Sequence, residues 1–317
     1  MGSPRVVLVT GASRGIGAGL VTHFLDQGDT VVGCSRQQAD RSHARYRHFT
    51  LDVADETAVT RMFHTTQESC GPVDLLVNNA GVAAMNHAVL TPIETVHRIF
   101  DTNVLGTFLL CREASKVMRR AGFGRIVNFS TVAVPLRLEG ESLYAASKAA
   151  VEMLTRILAK EFAPWGITVN AVGPSPIRTD LVAGVPPARM DALIARQHIQ
   201  EWAEVPDVAN VVEFFARPES RFVTGLAIRC GGLGGVRDSA CALWHRAFVG
   251  CDAGNGWRAR FNWNWRRRNY GWCAGVYLCG TAGYAGAGCS SSRQAECGSV
   301  AERPGDCHDG GRVLICC

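Results

Sequence analysis

The chain has 317 residues, 47% of them hydrophobic, and a formal net charge of +5 at neutral pH. That length suits one large domain or two smaller ones, and the apolar fraction is ample for a buried core. No apolar run approaches the ~18 residues of a membrane span, and Arg5 leads straight into an apolar strand rather than a secretory leader. The expectation is a cytoplasmic protein that makes no membrane contact.

The first element is an apolar run from Arg5 to Thr10. A turn carrying Gly11, Ser13, Arg14, Gly15, Ile16 and Gly17 follows, then a helical pattern over 16–27. A strand, a glycine turn and a helix make the opening unit of a dinucleotide-binding fold. Gly11 permits the tight turn, Gly15 lets backbone approach a diphosphate, and Gly17 lets helix and strand pack closely. The helix N-terminus offers free N–H groups to the phosphates. The second strand, 30–35, ends at Ser35 and Arg36, and no carboxylate follows until Asp40. An acidic residue here would bind a ribose 2′-hydroxyl, whereas arginine accommodates a 2′-phosphate. Arg14 could reach the same phosphate. The cofactor expected is therefore NADP(H).

Further strands are expected near 48–52, 73–78, 124–129, 167–172 and 226–230, with helices at 55–69, 92–120, 142–163 and 207–216. This alternation implies an α/β fold, a Rossmann-type doubly wound parallel seven-stranded sheet flanked by helices. The segment 179–204 interrupts the pattern with Gly184, Pro186 and Pro187 and is expected to form a lid over a substrate.

Tyr144 and Lys148 stand four residues apart in the 142–163 helix, so they share one face. A neighbouring ammonium stabilises a phenolate and lowers its pKa, which makes tyrosine a usable acid/base. Ser130, at the end of a strand, could donate a hydrogen bond to a carbonyl oxygen gaining negative charge.

Together these residues resemble the short-chain dehydrogenase/reductase family, in its 3-oxoacyl-carrier-protein-reductase-like form. The resemblance runs from about residue 4 to 236. It is carried, in the family's order, by Thr10-Gly11-x-x-x-Gly15-x-Gly17, Leu51-Asp52-Val53, Asn78-Asn79-Ala80-Gly81, Asn103, Ser130, Tyr144-x-x-x-Lys148 and Asn170-Ala-Val-Gly-Pro174. It implies that Asp52 and Val53 contact adenine, and that Asn78, Asn79, Ala80 and Gly81 line the strand end beneath the cofactor. It implies a catalytic set of Asn103, Ser130, Tyr144 and Lys148, with Asn103 holding a relay water and Lys148 also holding the ribose. Pro174, Ile177 and Thr179 would bracket the nicotinamide. Ser175 departs from the family's usual glycine after the proline, which leaves the loop path open there.

The reaction implied is reduction of a ketone to a secondary alcohol, with 3-oxoacyl thioesters as the leading substrate class. A general carbonyl or secondary-alcohol dehydrogenase of secondary metabolism is the alternative. A non-catalytic dinucleotide-binding regulator is a third reading, against which Tyr144 and Lys148 argue. Val132, Ala133, Leu138, Leu143 and Ile177 are expected in an apolar substrate pocket, and Arg137 and Arg178 could meet an anionic substrate. Arg119, Arg120 and Arg125 could dock an acyl carrier protein beside the site, although Trp165 stands where such relatives often carry arginine. Homo-oligomers, tetramers or dimers, are the family habit.

Residues 237–317 read differently. They hold nine of the 13 cysteines, five of the seven tryptophans, ten arginines and six carboxylates, without lysine or periodicity. Arg266–Arg268 among aromatics could suggest stacking on nucleic-acid bases, but the reading preferred is an irregular, disordered tail from a frameshift or read-through. No Cys-x-x-Cys pair supports zinc, so no metal and no nucleic acid are expected.

Overall fold

Seven short runs, apolar except for the edge strand Tyr46–Thr50, become seven parallel strands in the computed structural model, which describes residues 4–232. They are β1 (Val6–Thr10), β2 (Thr30–Ser35), β3 (Tyr46–Thr50), β4 (Leu75–Asn78), β5 (Gly124–Phe129), β6 (Ile167–Gly173) and β7 (Ala227–Arg229). Their order across the sheet is β3-β2-β1-β4-β5-β6-β7. Parallel neighbours need crossovers longer than a hairpin, so helices connect them and cover both faces. These are α1 (Gly15–Asp26), α2 (Glu56–Cys70), α3 (Ile93–Phe100), α4 (Gly106–Ala121), α5 (Ala133–Leu136), α6 (Ser142–Phe162), α7 (Pro187–Ile194) and α8 (Val205–Ala216).

Alternate residues of a strand face opposite sides of its sheet. Leu8, Val32, Leu76, Ile126 and Val169 enter one core, with Met62 and Phe63 of α2, Leu110 and Met118 of α4, and Leu158 and Phe162 of α6. Val7, Val9, Val31, Val77, Val127 and Val172 enter the other, with Leu20 and Phe24 of α1 and Val208, Val212 and Phe215 of α8. Both faces of the central strands are thus apolar, which is why they read as unbroken hydrophobic runs.

The expected elements are present, with informative differences. β3 starts at Tyr46, ahead of the expected 48, because Tyr46 already pairs with Val31. α8 starts at Val205, where the Glu204 N–H donates to Asp207 Oδ2 at 2.8 Å. The single helix expected over 92–120 is two helices, α3 and α4, joined by a π-helical turn at Asp101–Leu105. Such turns often mark functional sites, and this one buries Asn103 completely. The expected lid contains α7, and its base is tied by an Ile177–Ala203 bridge. The tail read over 237–317 lies outside the described residues, among which no helix is long and apolar enough to cross a membrane.

Candidate active site

β1 and β4 are neighbours whose crossovers leave in opposite directions, which opens a crevice at their C-terminal ends. The glycine turn fills it. The Gly11 N–H donates to Cys34 O at 2.8 Å, and Asn79 Nδ2 donates to Thr10 O at 2.8 Å. The Ala80 N–H donates to Thr10 Oγ1 at 2.9 Å. Gly11 (φ +68°) and Gly15 (φ +56°) use left-handed backbone, and a Cβ on Gly17 would collide with the Gly11 carbonyl. Arg14 stands at the N-terminus of α1 without a side-chain capping bond, so the first N–H groups of the helix are free for an anion. Ile16, Asn79 and Gly81 line the adjoining cavity. A Cβ on Gly81 would stand 3.3 Å from both Asn103 Oδ1 and Lys148 Nζ. This cradle of backbone without side chains fits a dinucleotide.

The other residues expected around the cofactor are positioned as follows. Ser13 is half-buried within the turn, and Arg36 is exposed beyond β2. Ser35 Oγ donates to Gln37 O at 2.5 Å and lies 3.0 Å from His48 Nε2. Asp52 is exposed and accepts the Ala54 N–H at 2.9 Å, while Val53 is buried in the core. Arg14 is not free in this structure, because its guanidinium pairs with Asp180 of the lid at 3.1 Å.

The candidate reactive groups come from α6 and the end of β5. Tyr144, Lys148 and Glu152 follow one another at four-residue steps, hence on one helix face. Lys148 is buried, and its Nζ donates to Phe129 O at 2.8 Å. Desolvation lowers its pKa to about 8. Burial raises the Tyr144 hydroxyl to about 12, a hydrogen bond with Thr131 opposes that rise, and nearby Glu141 adds to it. The expected lowering of the tyrosine by the ammonium is therefore absent from the protein alone, since both groups are desolvated and the ammonium is held by a carbonyl. Ser130 Oγ donates to Glu152 Oε1 at 2.6 Å. Asn103 is fully engaged. Its Oδ1 accepts the Val82 N–H at 2.9 Å, and its Nδ2 donates to Val82 O at 2.9 Å and Ser147 Oγ at 3.0 Å. Ser147 Oγ in turn donates to Tyr144 O at 2.7 Å. The Asn103 side chain clamps the loop after β4 to the turn that carries Tyr144.

A cavity of about 610 Å³ opens in front of Ser130, Tyr144 and Lys148. Val132, Ala133, Leu138 and Ile177 of the expected pocket line it, together with Pro174 and Thr179, and Leu143 does not. Ser175 keeps a non-positive φ, is buried, and donates from Oγ to Cys230 O at 2.6 Å. The serine thus pins the loop to β7, which settles the path its departure from glycine had left open. Arg178 lies over the Trp202 ring at 4.3 Å and Arg137 is exposed, and neither lines this cavity. The expected basic docking face is also elsewhere. Arg119 and Arg120 end α4 ahead of β5, at the end of the strands opposite to Ser130. Arg119 covers Trp165 at 4.7 Å, and Arg125 is buried against backbone carbonyls such as Gly124 O at 2.8 Å.

A doubly wound parallel sheet with a glycine cradle and a Tyr–Lys helix face defines a nicotinamide-dinucleotide oxidoreductase. Residues 11–232 match the family profile described as enoyl-(acyl carrier protein) reductase. A short-chain type dehydrogenase/reductase of Picea abies is 38% identical over 247 residues, covering 72% of this chain and 91% of the relative. The 3-oxoacyl-[acyl-carrier-protein] reductase FabG of Vibrio harveyi is 29% identical, covering 72% and 96%. The solved structure of ElxO with NADP bound aligns with a TM-score of 0.66 at 29% identity, covering 71% and 96%. The chain belongs to the short-chain dehydrogenase/reductase family, whose members bind a nicotinamide dinucleotide and act on CH–OH groups.

Proposed function

We propose that this protein interconverts a ketone and a secondary alcohol with NADP(H), and that Tyr144 is its acid/base. The observation that carries the reading is the inner face of α6, where Tyr144 and Lys148 border the same cavity as Ser130 and the glycine-lined crevice. Arg36 and Ser35 at the end of β2, with no acidic residue beside them, support a 2′-phosphate. So does the NADP bound in ElxO.

When bound, NADPH supplies the hydride for the carbonyl carbon. Tyr144 gives the proton to the carbonyl oxygen and takes it back in the reverse direction. Its hydroxyl is protonated at neutral pH, as an acid must be before it donates. Lys148 stands beside Gly81, where it can hold the nicotinamide ribose and favour the phenolate once the proton has gone. Ser130 donates to the developing oxyanion. The apolar wall and the α7 lid exclude water.

The substrate class proposed first is a 3-oxoacyl thioester, supported by the family profile and the Vibrio relative. The position of Arg119, Arg120 and Arg125 favours a free thioester or simple ketone over one presented by a carrier protein. The test is oxidation of NADPH with acetoacetyl-CoA, run beside NADH. Turnover preferring NADPH supports both parts of the reading. Turnover only with other ketones moves the protein to the general carbonyl reductases. NADPH binding without turnover on any ketone overturns the enzymatic reading.

A further inference from the structure

Glu152 is a buried carboxylate that the mechanism above leaves unused. It is 5% exposed and lies one helical turn beyond Lys148. It accepts the Ser130 hydroxyl at 2.6 Å through Oε1. Arg229 Nη2, from β7, donates to Oε1 at 2.9 Å and to Oε2 at 3.0 Å. Arg156, one turn further along α6 and mostly exposed, approaches Oε2 at 4.0 Å. Arg229 Nε is buried without a hydrogen-bond partner among the described residues, so Glu152 supplies the contacts that hold this guanidinium.

A serine hydroxyl has one proton to give. In this structure Ser130 gives it to Glu152, and not to the cavity. A ketone oxygen is a neutral acceptor and competes poorly with a carboxylate, since charge-assisted hydrogen bonds are roughly twice as strong as neutral ones. An oxygen that is becoming an alkoxide competes well. Arg229 matters because it draws charge from both carboxylate oxygens and so weakens their hold on the serine proton.

Accepting Ser130 in the catalytic role proposed above, we infer that Glu152 and Arg229 are positioning residues that reserve the Ser130 proton for the transition state. Ser130 donates to Glu152 while the ketone is bound, then turns to the substrate oxygen as hydride transfer charges it. No bond to oxygen or carbon is added by this turn; one hydrogen bond is exchanged for another. An interaction made only in the transition state raises kcat without tightening ground-state binding.

The two partners then have opposite effects on ketone affinity. Glu152→Gln weakens the acceptor, so Ser130 is freer to bind the ketone before reaction. We expect KM for the ketone to fall and kcat to fall by roughly 3- to 10-fold. Arg229→Gln leaves the carboxylate unneutralised and tightens its hold on the serine proton. Here KM should rise while kcat falls. In a Ser130→Ala background neither change should alter kcat or KM further, and NADPH affinity should stay constant throughout.

The measurements are steady-state kinetics on acetoacetyl-CoA and a panel of small ketones, with NADPH affinity from fluorescence. Urea unfolding of Ser130→Ala, Glu152→Gln and the double variant is run beside them. KM moving in one direction for both Glu152→Gln and Arg229→Gln would mean a merely structural pair. So would equal losses with and without Ser130, and either result overturns the inference. Additive stabilities in the unfolding cycle would show that the Ser130–Glu152 bond is absent, which also overturns it. If Glu152→Gln does not fold, Arg229→Gln alone decides through the sign of its KM change. Wild-type protein inert on every ketone overturns the functional reading and this inference with it, whereas normal wild-type turnover with unmoved variants overturns the inference alone.

Discussion

At the scale of single residues, Tyr144 carries the sharpest prediction. Tyr144→Phe removes the transferable proton and little volume. Turnover should drop by about 10²–10⁴-fold, the range of general acid/base catalysis, while NADPH affinity measured by fluorescence stays within about 2-fold of wild type if the ring contributes only chemistry. A protein that merely binds dinucleotide would show no change. Lys148 gives a second prediction, in pH. Its pKa is lowered from 10.5 to about 8 on folding, so between those values the unfolded chain holds a proton that the folded chain lacks. Stability must rise with pH across that window. Tyr144 acts in the opposite sense higher up. It stays protonated to about 12 when folded, against 10.0 when unfolded, so stability falls above pH 10. The unfolding free energy from urea titrations should therefore climb between pH 7 and 10 for wild type relative to Lys148→Met, by roughly 2–3 kcal/mol at most. Parallel curves would show that Lys148 is not buried as a strained cation.

At the scale of elements, the π-helical turn between α3 and α4 does what a regular helix could not. It brings a fully buried Asn103 to the loop after β4 and to Ser147 in the second turn of α6. Asn103→Ala would strip two hydrogen bonds from half-buried Val82 and one from buried Ser147, and should destabilise the protein by roughly 2–3 kcal/mol, read from urea unfolding. A shift below about 0.5 kcal/mol would mean that the clamp is replaced by water. The turn was invisible in the sequence because the apolar spacing over 92–120 is that of a helix, and Gly106, just after the turn, reads as a tolerated helix glycine. The strands were legible because apolar side chains enter both cores, and the cradle because Gly11, Gly15 and Gly17 have a fixed spacing. Glu152 was missed for a different reason. A carboxylate on a helix ordinarily faces solvent, and only its four-residue step from Lys148 marks it as part of the inner face. Arg125 misled in the same way: arginine is rarely buried, and its partners are backbone carbonyls that no side-chain pattern reveals.

At the scale of the whole molecule, α4 and α6 carry exposed apolar side chains beside one another. Phe108 is 39% exposed, Met153 52% and Ile157 48%. Exposed apolar surface of this kind marks contact sites, and self-association is expected. Light scattering should give a mass above 34.1 kDa for the chain, and Met153→Glu with Ile157→Glu should return it to the monomer. A monomeric wild type at micromolar concentration would refute the assignment of this face.

The placement of β7 bears on how the protein is made. The strand has only three residues, Ala227–Arg229, and stands at the edge of the sheet. Arg229 nevertheless holds Glu152, and the neighbouring Cys230 holds Ser175 through its carbonyl. A ribosome delivers the dinucleotide cradle of β1 to β4 long before it delivers these two anchors. A nascent chain halted just short of Arg229 would thus possess most of its nucleotide crevice and lack the guanidinium that pairs with Glu152. Cradle and anchors are thus about 150 residues apart in the order of synthesis, and on the reading proposed above cofactor capture can precede reactive competence.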